Sequence, residues 1–108
     1  MFEVLGFYKF VKIKSLKKNK VLLQGFLINK KIRGTIIIAN EGINGSISGK
    51  VKDIKIAINR LKKMFSFKEF DNINNSKSPF QPFHKPKVKV KKEVVPMNLT
   101  LNSKERNL

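Results

Sequence analysis

The segment from residue 33 to residue 49, RGTIIIANEGINGSISG, sets the architecture to which the rest of the chain must fit. Its first part, RGTIIIA, is the most apolar run of the sequence and predicts a central strand at residues 33–39. Residues 43–48, INGSIS, predict a second strand after a turn. We therefore expect a β-hairpin whose connection needs the glycines of the segment for its backbone shape.

Two helices and one strand are predicted around this hairpin. Residues 7–13, FYKFVKI, alternate as a strand does. Apolar residues at helical spacing predict one helix from Ser15 to about Asn29 and an amphipathic helix from about Val51 to Phe65. These elements give the order βαββα.

The last third of the chain supplies two further strands. Residues 67–73, FKEFDNI, predict a short strand, and residues 74–86, with three prolines, predict a loop. Residues 87–95, KVKVKKEVV, alternate cleanly and predict a final strand that ends at Pro96. The full order predicts an α+β, ferredoxin-like βαββαβ sandwich over residues 1–96, with an antiparallel sheet, two helices on one face and one extra C-terminal strand. Residues 97–108 are expected to form a tail or linker.

The charge balance favours a polyanionic partner. The chain holds 24 Lys and Arg against 7 Asp and Glu, a formal net charge of +17, which makes nucleic acid the first partner to consider. A lysine-rich codon bias is the alternative, although bias alone does not remove acidic residues to this extent.

Several classes of site are excluded by composition. The absence of cysteine rules out disulfides, thiolate nucleophiles and cysteine zinc sites, and a single histidine, His84, rules out multi-histidine metal motifs. No apolar run approaches the ~20 residues that span a bilayer, and the start of the chain lacks the pattern of a signal peptide. A cytoplasmic location without membrane contact is expected.

The glycine-rich segment is open to more than one interpretation. Its spacing fits neither a Walker loop nor a dinucleotide-binding loop. Gly42-Ile43-Asn44-Gly45 matches the Gly-x-x-Gly loop with which KH domains clamp nucleotides, but the flanking residues are strand-like, so a hairpin connection is favoured. Glu41 is either a general base or, as we favour, a partner of a basic side chain or of backbone amides.

A row of lysines is the strongest binding signal. Strand alternation places Lys87, Lys89 and Lys91 on one face about 6 to 7 Å apart, a spacing comparable with that of phosphates along a nucleic-acid strand. The alternative is that they solubilise an edge strand. Tyr8 and Phe10 share one face of the first strand and are interpreted either as base-stacking residues or as residues covered by the core or another domain.

Three segments together resemble one protein family. FYKFV at residues 7–11, GTIIIANEGINGSISG at residues 34–49 and KVKVKKEVV at residues 87–95 are similar in order and spacing to the N-terminal domain of the rhodanese-domain tRNA uridine hydroxylases. The ANEGING core is the specific part, and the resemblance covers about Phe7 to Val95.

The resemblance implies an acylphosphatase-like domain that precedes a rhodanese domain in a bacterial, cytoplasmic enzyme. Such enzymes form 5-hydroxyuridine at the tRNA wobble position with molecular oxygen as a substrate, and the cysteine regarded as catalytic belongs to the rhodanese domain. This sequence stops before any rhodanese domain and has no cysteine. We therefore expect a piece or a truncated relative of such an enzyme, which is non-catalytic alone and holds no cofactor or metal of its own.

Within that family setting we expect a tRNA-binding accessory domain. Its phosphate contacts would come from Lys85, Lys87, Lys89 and Lys91, with help from Arg33 and Lys9. The motif loop, which would face the tRNA or the rhodanese domain, would be shaped by Asn40, Glu41, Gly42, Asn44 and Gly45. One alternative is a module that docks on the rhodanese domain through Tyr8 and Phe10 without touching RNA. The other alternative is an acylphosphatase-type hydrolase. It is disfavoured because acylphosphatases bind phosphate with a glycine-rich first loop and an arginine, and residues 13–17, IKSLK, contain neither glycine nor arginine.

Overall fold

The computed structural model describes residues 1–93, which form one five-stranded sheet with two helices on one side. The elements in chain order are β1 (Phe2–Phe10), α1 (Leu16–Asn29), β2 (Arg33–Ala39), β3 (Gly42–Gly49), α2 (Val51–Met64), β4 (Asn72–Ser78) and β5 (Pro86–Val90). The ferredoxin-like βαββαβ order and the extra strand are therefore confirmed.

The strand order is β4-β1-β3-β2-β5, and the sheet is mixed rather than wholly antiparallel. Strand β1 pairs antiparallel with β3 and β4, and β2 pairs antiparallel with β3, whereas β5 pairs parallel with β2. The reason is the connection at residues 79–85, which crosses from one edge of the sheet to the other and reverses the chain. Strand β5 thus runs opposite to β4 and in the same direction as β2.

The hydrophobic core lies between the sheet and the helices. Helix α1 packs on β2 and β5, and α2 packs on β1 and β3. Helix α2 buries Ile54, Ala57 and Leu61 at the spacing of one helical face, as its apolar pattern predicts. The sheet contributes alternate strand residues, all of which are buried: Leu5, Phe7, Ile36, Ile38, Ile43, Ile47 and Val88.

The boundaries of three strands differ from the predictions. Strand β1 begins at Phe2 and ends at Phe10, instead of spanning residues 7–13. Strand β4 overlaps the predicted strand at 67–73 in residues 72 and 73 alone, and residues 67–71 form no strand. Residues 74–78 were predicted as a loop, because the sequence NINNSKS has almost no apolar alternation and pairs with β1 without being buried. Strand β5 ends at Val90, and the predicted continuation over residues 94 and 95 lies outside the described residues, as does the predicted tail at 97–108.

Candidate nucleic-acid interface

The side of the sheet opposite the helices, which we call the open face, carries two straight rows of side chains. Residues that are paired across neighbouring strands form each row, and the five strands together span about 19 Å at ~4.8 Å per strand. The first row is Asn72, Tyr8, Asn44, Ile37 and Lys89. The second row is Asn74, Gly6, Ser46, Thr35 and Lys87. Each row therefore begins with an amide on β4 and ends with an ammonium group on β5.

Strand β5 places the predicted lysine row at the edge of the open face. Val88 is buried against the helices, while Lys87 and Lys89 are exposed and alternate with it. Lys85 and Lys91 flank the strand, are exposed and join β2 through their backbones: Lys85 O accepts from Gly34 N, and Lys91 N donates to Ile38 O, both at 3.0 Å. The structure thus brings the four lysines together along one strand.

The other two predicted phosphate ligands lie elsewhere. Lys9 belongs to the helix-side set of β1 residues, where its Nζ is 3.7 Å from Asp71 Oδ1 and 5.6 Å from the centre of the Phe67 ring. Arg33 begins β2 and lines a separate pocket of about 320 Å³ at the end of the sheet. Lys9 is therefore apart from the lysine row, and Arg33 belongs to a second basic cluster.

That second cluster was not visible in the sequence. Its basic members, apart from Arg33, are Lys30 and Lys31 after α1 and Lys50 before α2, and the pocket is also lined by Asp53 and Gln81. Sequence spacing gives no sign of it, because the cluster forms where the end of one helix meets the start of the other.

Strand β1 exposes aromatic side chains on the open face. Phe10 is 48% exposed and Tyr8 is half-buried, so neither belongs to the buried core. Their ring centres are 5.8 Å apart with an interplanar angle of 70°, an edge-to-face contact. The structure therefore does not support the alternative in which Tyr8 and Phe10 are covered by the core of this domain.

A hollow of about 330 Å³ opens beside Tyr8. Gly6 has no side chain to fill the face at this point, and the polar walls are Asn44, Ser46, Asn72 and Asn74. The Asn74 Nδ2 group donates to Asn72 Oδ1 at 3.3 Å, which aligns the two amides of β4 along one side. Neither asparagine was predicted as a site residue, because Asn72 lies near the end of a short predicted strand and Asn74 begins a segment whose Asn, Ser and Pro residues are typical of a loop.

The glycine motif forms a hairpin, and its glycines lie in the strand that follows the turn. The turn itself consists of Asn40 and Glu41, and Gly42 to Gly45 belong to β3, so the Gly-x-x-Gly stretch is not a clamping loop. A Cβ at Gly45 would lie 2.6 Å from Phe7 Cζ, and one at Gly42 would collide with the carbonyl oxygen of Lys9. These two glycines are therefore required by the close approach of β1 to β3.

The turn residues hold the segment after β1. Asn40 Nδ2 donates to Ile13 O at 2.9 Å while Asn40 O accepts from Ile13 N at 2.8 Å. Glu41 O accepts from Val11 N at 3.0 Å. Of the five predicted motif-loop residues, Asn40, Glu41, Gly42 and Gly45 shape the backbone, and Asn44 contributes its side chain to the open face.

Acidic side chains are kept off the open face. Glu3 belongs to the helix-side set of β1, where Asn75 Nδ2 donates to its Oε2 at 2.6 Å and Lys77 Nζ is 3.0 Å from its Oε1. The hydrogen bond from Asn75, followed by that from Lys77, lowers the pKa of Glu3. No Asp or Glu occurs among the open-face residues of the five described strands. This face is neutral or positive throughout.

Residues 1–93 contain no group of three or more His, Cys, Asp or Glu side chains placed to hold a metal ion. None of the helices in the same range is long and apolar enough to cross a membrane.

Comparison with known proteins gives matches over most of the chain. It is 67% identical over 106 residues to the tRNA uridine(34) hydroxylase of Pelagibacter ubique strain HTCC1062, covering 98% of this chain and 35% of the relative. It is 40% identical over 98 residues to the protein of the same name from Rickettsia rickettsii strain Sheila Smith, covering 89% of this chain and 38% of the relative. The chain thus spans little more than a third of the length of either relative.

Solved structures with a similar fold are much less similar in sequence. The acylphosphatase of Bacillus subtilis superposes with a TM-score of 0.57 at 12% identity, covering 84% of this chain and all of that one. The structure described as BlrP1 BLUF gives a TM-score of 0.65 at 11% identity, covering 85% of this chain and 65% of that one. At these identities the likeness concerns the fold alone. The family model described as the UPF0176 acylphosphatase-like domain matches residues 2–94, and the chain belongs to that family.

Proposed function

We propose that this chain is the tRNA-binding accessory domain of an oxygen-dependent tRNA uridine(34) hydroxylase that works in the cytoplasm. The proposal rests on the relatives that bear this name and on one observation in the fold. That observation is a sheet face on which no described helix packs and whose described strands place no acidic residue there, edged by a row of lysines.

In this proposal the domain holds RNA and the chemistry takes place elsewhere. The ammonium groups of Lys85, Lys87, Lys89 and Lys91 contact successive phosphates and release the counterions condensed on them. Lysine acts here as a point charge without the planar fork of arginine, so these contacts add affinity without reading sequence. The chain contains no cysteine. In this proposal the catalytic group of the hydroxylase belongs to a rhodanese domain, and that domain also packs against this one.

A second function is favoured by a specific observation. Phe10 is 48% exposed beside Tyr8, and an aromatic pair on an open sheet is also suited to docking on another domain. In this alternative the domain orients the rhodanese domain and does not touch RNA. Acyl phosphate hydrolysis is not favoured, because the connection between β1 and α1, residues 11–15, holds neither glycine nor arginine.

Direct binding of tRNA separates the two functions. The purified chain is titrated with bulk bacterial tRNA at ~20 mM salt, with fluorescence anisotropy as the readout and heparin as a competitor. We expect binding that heparin displaces and that becomes much weaker when Lys87, Lys89 and Lys91 are changed together to Ala. The absence of binding at low salt would overturn the proposal and leave the docking module.

A further inference from the structure

We infer that the hollow beside Tyr8 is a nucleobase site, which accepts one unstacked base of a single-stranded RNA segment whose phosphates lie on the lysines of β5. The inference rests on the proposed function and deepens it, because it assigns a second, uncharged set of contacts to the same surface.

The lining of the hollow is suited to a neutral, flat ligand. None of its eight lining residues carries a charge, and one wall is the aromatic side chain of Tyr8. Its volume of about 330 Å³ lies at the lower end of the range of ligand pockets. A phosphate is favoured at the lysines, because moving a charged group from water into an uncharged site costs more free energy than moving a neutral base there. The face thus separates the two parts of a nucleotide.

Stacking on Tyr8 is supported by its surroundings. Gly6 and Phe10 are its two neighbours on the open face of β1, so that Tyr8 stands between the hollow and the Phe10 ring. The edge-to-face contact at 5.8 Å supports the tyrosine ring from the side away from the hollow. A base that enters over Gly6 therefore meets a ring that is already oriented, and stacking on aromatic side chains is the usual contact of unpaired RNA bases.

The amides of β4 can bind the polar edge of the base. Each asparagine side chain has two N–H donors and a carbonyl acceptor. The bond between Asn74 and Asn72 uses one donor and part of one acceptor, so Asn72 Nδ2 and Asn74 Oδ1 retain hydrogen-bonding capacity. Donor and acceptor groups side by side match the alternating donors and acceptors of a base edge.

The cross-strand pairing connects this hollow to the phosphate contacts. Asn72 and Tyr8 share a row with Lys89, and Asn74 and Gly6 share a row with Lys87. Three strand spacings, about 14 Å, separate β1 from β5. An RNA segment that follows the lysines of β5 and then crosses the strands along one of these rows contacts the lysines and the hollow at once.

The experiment compares two single-stranded probes of equal length and charge. One is an RNA of eight uridines, and the other is the same ribose–phosphate chain without bases. The 108-residue chain is titrated with both at one low salt concentration. We expect the base-bearing probe to bind about 5- to 150-fold more tightly, the range for one stacked base.

Variants locate the source of this preference. Tyr8→Ala, and Asn72→Ala combined with Asn74→Ala, are expected to bring the affinity ratio of the two probes close to one. Gly6→Ala is expected to do the same, because its Cβ stands in the hollow 3.2 Å from Asn74 Oδ1. Ser76→Ala is the matched control, since Ser76 lies on the open face of β4, pairs with Val4 and does not line the hollow. Circular dichroism establishes that each variant is folded.

Each outcome decides the inference. Equal binding of both probes by the unchanged chain, or an unchanged ratio in folded Tyr8 and Asn72/Asn74 variants, overturns the nucleobase site. Either result leaves the phosphate contacts intact and favours a protein domain as the occupant of the hollow. If neither probe nor tRNA binds, the proposed function and the nucleobase site fall together.

Discussion

The side chain of Gln24 on α1 forms hydrogen bonds with the outer edge of β5, where Val88 N donates to Gln24 Oε1 at 2.8 Å. The same amide donates through Nε2 to Pro86 O at 3.0 Å. Both backbone groups point away from β2, so without Gln24 they would be unpaired groups at a sheet edge. A helix side chain thus covers the edge strand that carries the lysine row.

Replacing Gln24 is expected to loosen β5 before the rest of the domain. Gln24→Ala removes two part-buried hydrogen bonds and should lower the free energy of unfolding by about 1 to 3 kcal/mol. Chemical denaturation measures the total, and amide hydrogen exchange at Val88 reports the local effect. Asn29→Ala, an exposed change on the same helix, is the control. An unchanged exchange rate at Val88 in the Gln24 variant would contradict this role.

The salt dependence of RNA binding should report the number of lysine contacts. Four phosphate contacts predict a slope near −3 for the logarithm of the binding constant against the logarithm of salt concentration, at about 0.7 to 0.9 per contact. Changing Lys87, Lys89 and Lys91 to Ala should reduce the slope to about −1.

The matched control for this prediction removes the same charge from the other side of the molecule. Lys17, Lys18 and Lys20 are exposed on α1, which packs on the opposite face of the sheet. Their triple change to Ala should leave the slope near that of the unchanged chain. Equal flattening by both triple variants would show that total charge, and not the β5 row, determines binding.

Two glycines should respond to alanine in opposite directions. At Gly45 the new methyl group would lie 2.6 Å from Phe7 Cζ, and the expected destabilisation is about 1 to 3 kcal/mol. At Gly25, in the middle of α1, no atom lies within 4 Å of the new methyl group, and alanine should stabilise the helix by about 0.5 to 1 kcal/mol. Thermal and urea unfolding check both values, and a Gly45→Ala protein as stable as the unchanged chain would contradict the close packing of Gly45 against Phe7.

Glu3 should make stability depend on mild acid. Its pKa is lowered in the folded state from a usual value of 4.5, so the carboxylate stabilises the fold above that pH. This contribution is lost as the pH falls through the lowered pKa. In Glu3→Gln the ion pair with Lys77 is absent at every pH, so the difference in unfolding free energy between the two proteins should shrink from pH 6 to pH 3. A constant difference over that range would exclude the carboxylate as the cause.

Local sequence patterns were sufficient to predict the elements that bury one face and expose the other. The apolar spacing of Ile54, Ala57 and Leu61 predicted α2, and the alternation around Val88 predicted which face of β5 is exposed. Strand β4 could not be found in this way, because its residues are exposed and it is held by pairing with β1. The parallel direction of β5 depends on the path of residues 79–85, which no local pattern encodes.

Of the candidate site, the part that lies within one strand was predictable from the sequence. The lysine row lies within one strand, so alternation was enough to identify it. The hollow is formed by residues of β1, β3 and β4, and Asn44 of β3 lies near Asn72 and Asn74 of β4 only because both strands pair with β1. Strand alternation placed Lys9 opposite Tyr8, but its ion pair with Asp71 depends on a contact between distant segments.

The strand order also determines when each part of the surface can exist. The hollow is complete once β4 has paired with β1, whereas the lysine edge requires β5, the last described strand, to join β2 across the whole sheet. Chains are synthesised from the N-terminus, so the residues of β4 leave the ribosome before those of β5. The uncharged hollow can therefore form in a shorter length of chain than the cationic edge, which depends on the last described strand.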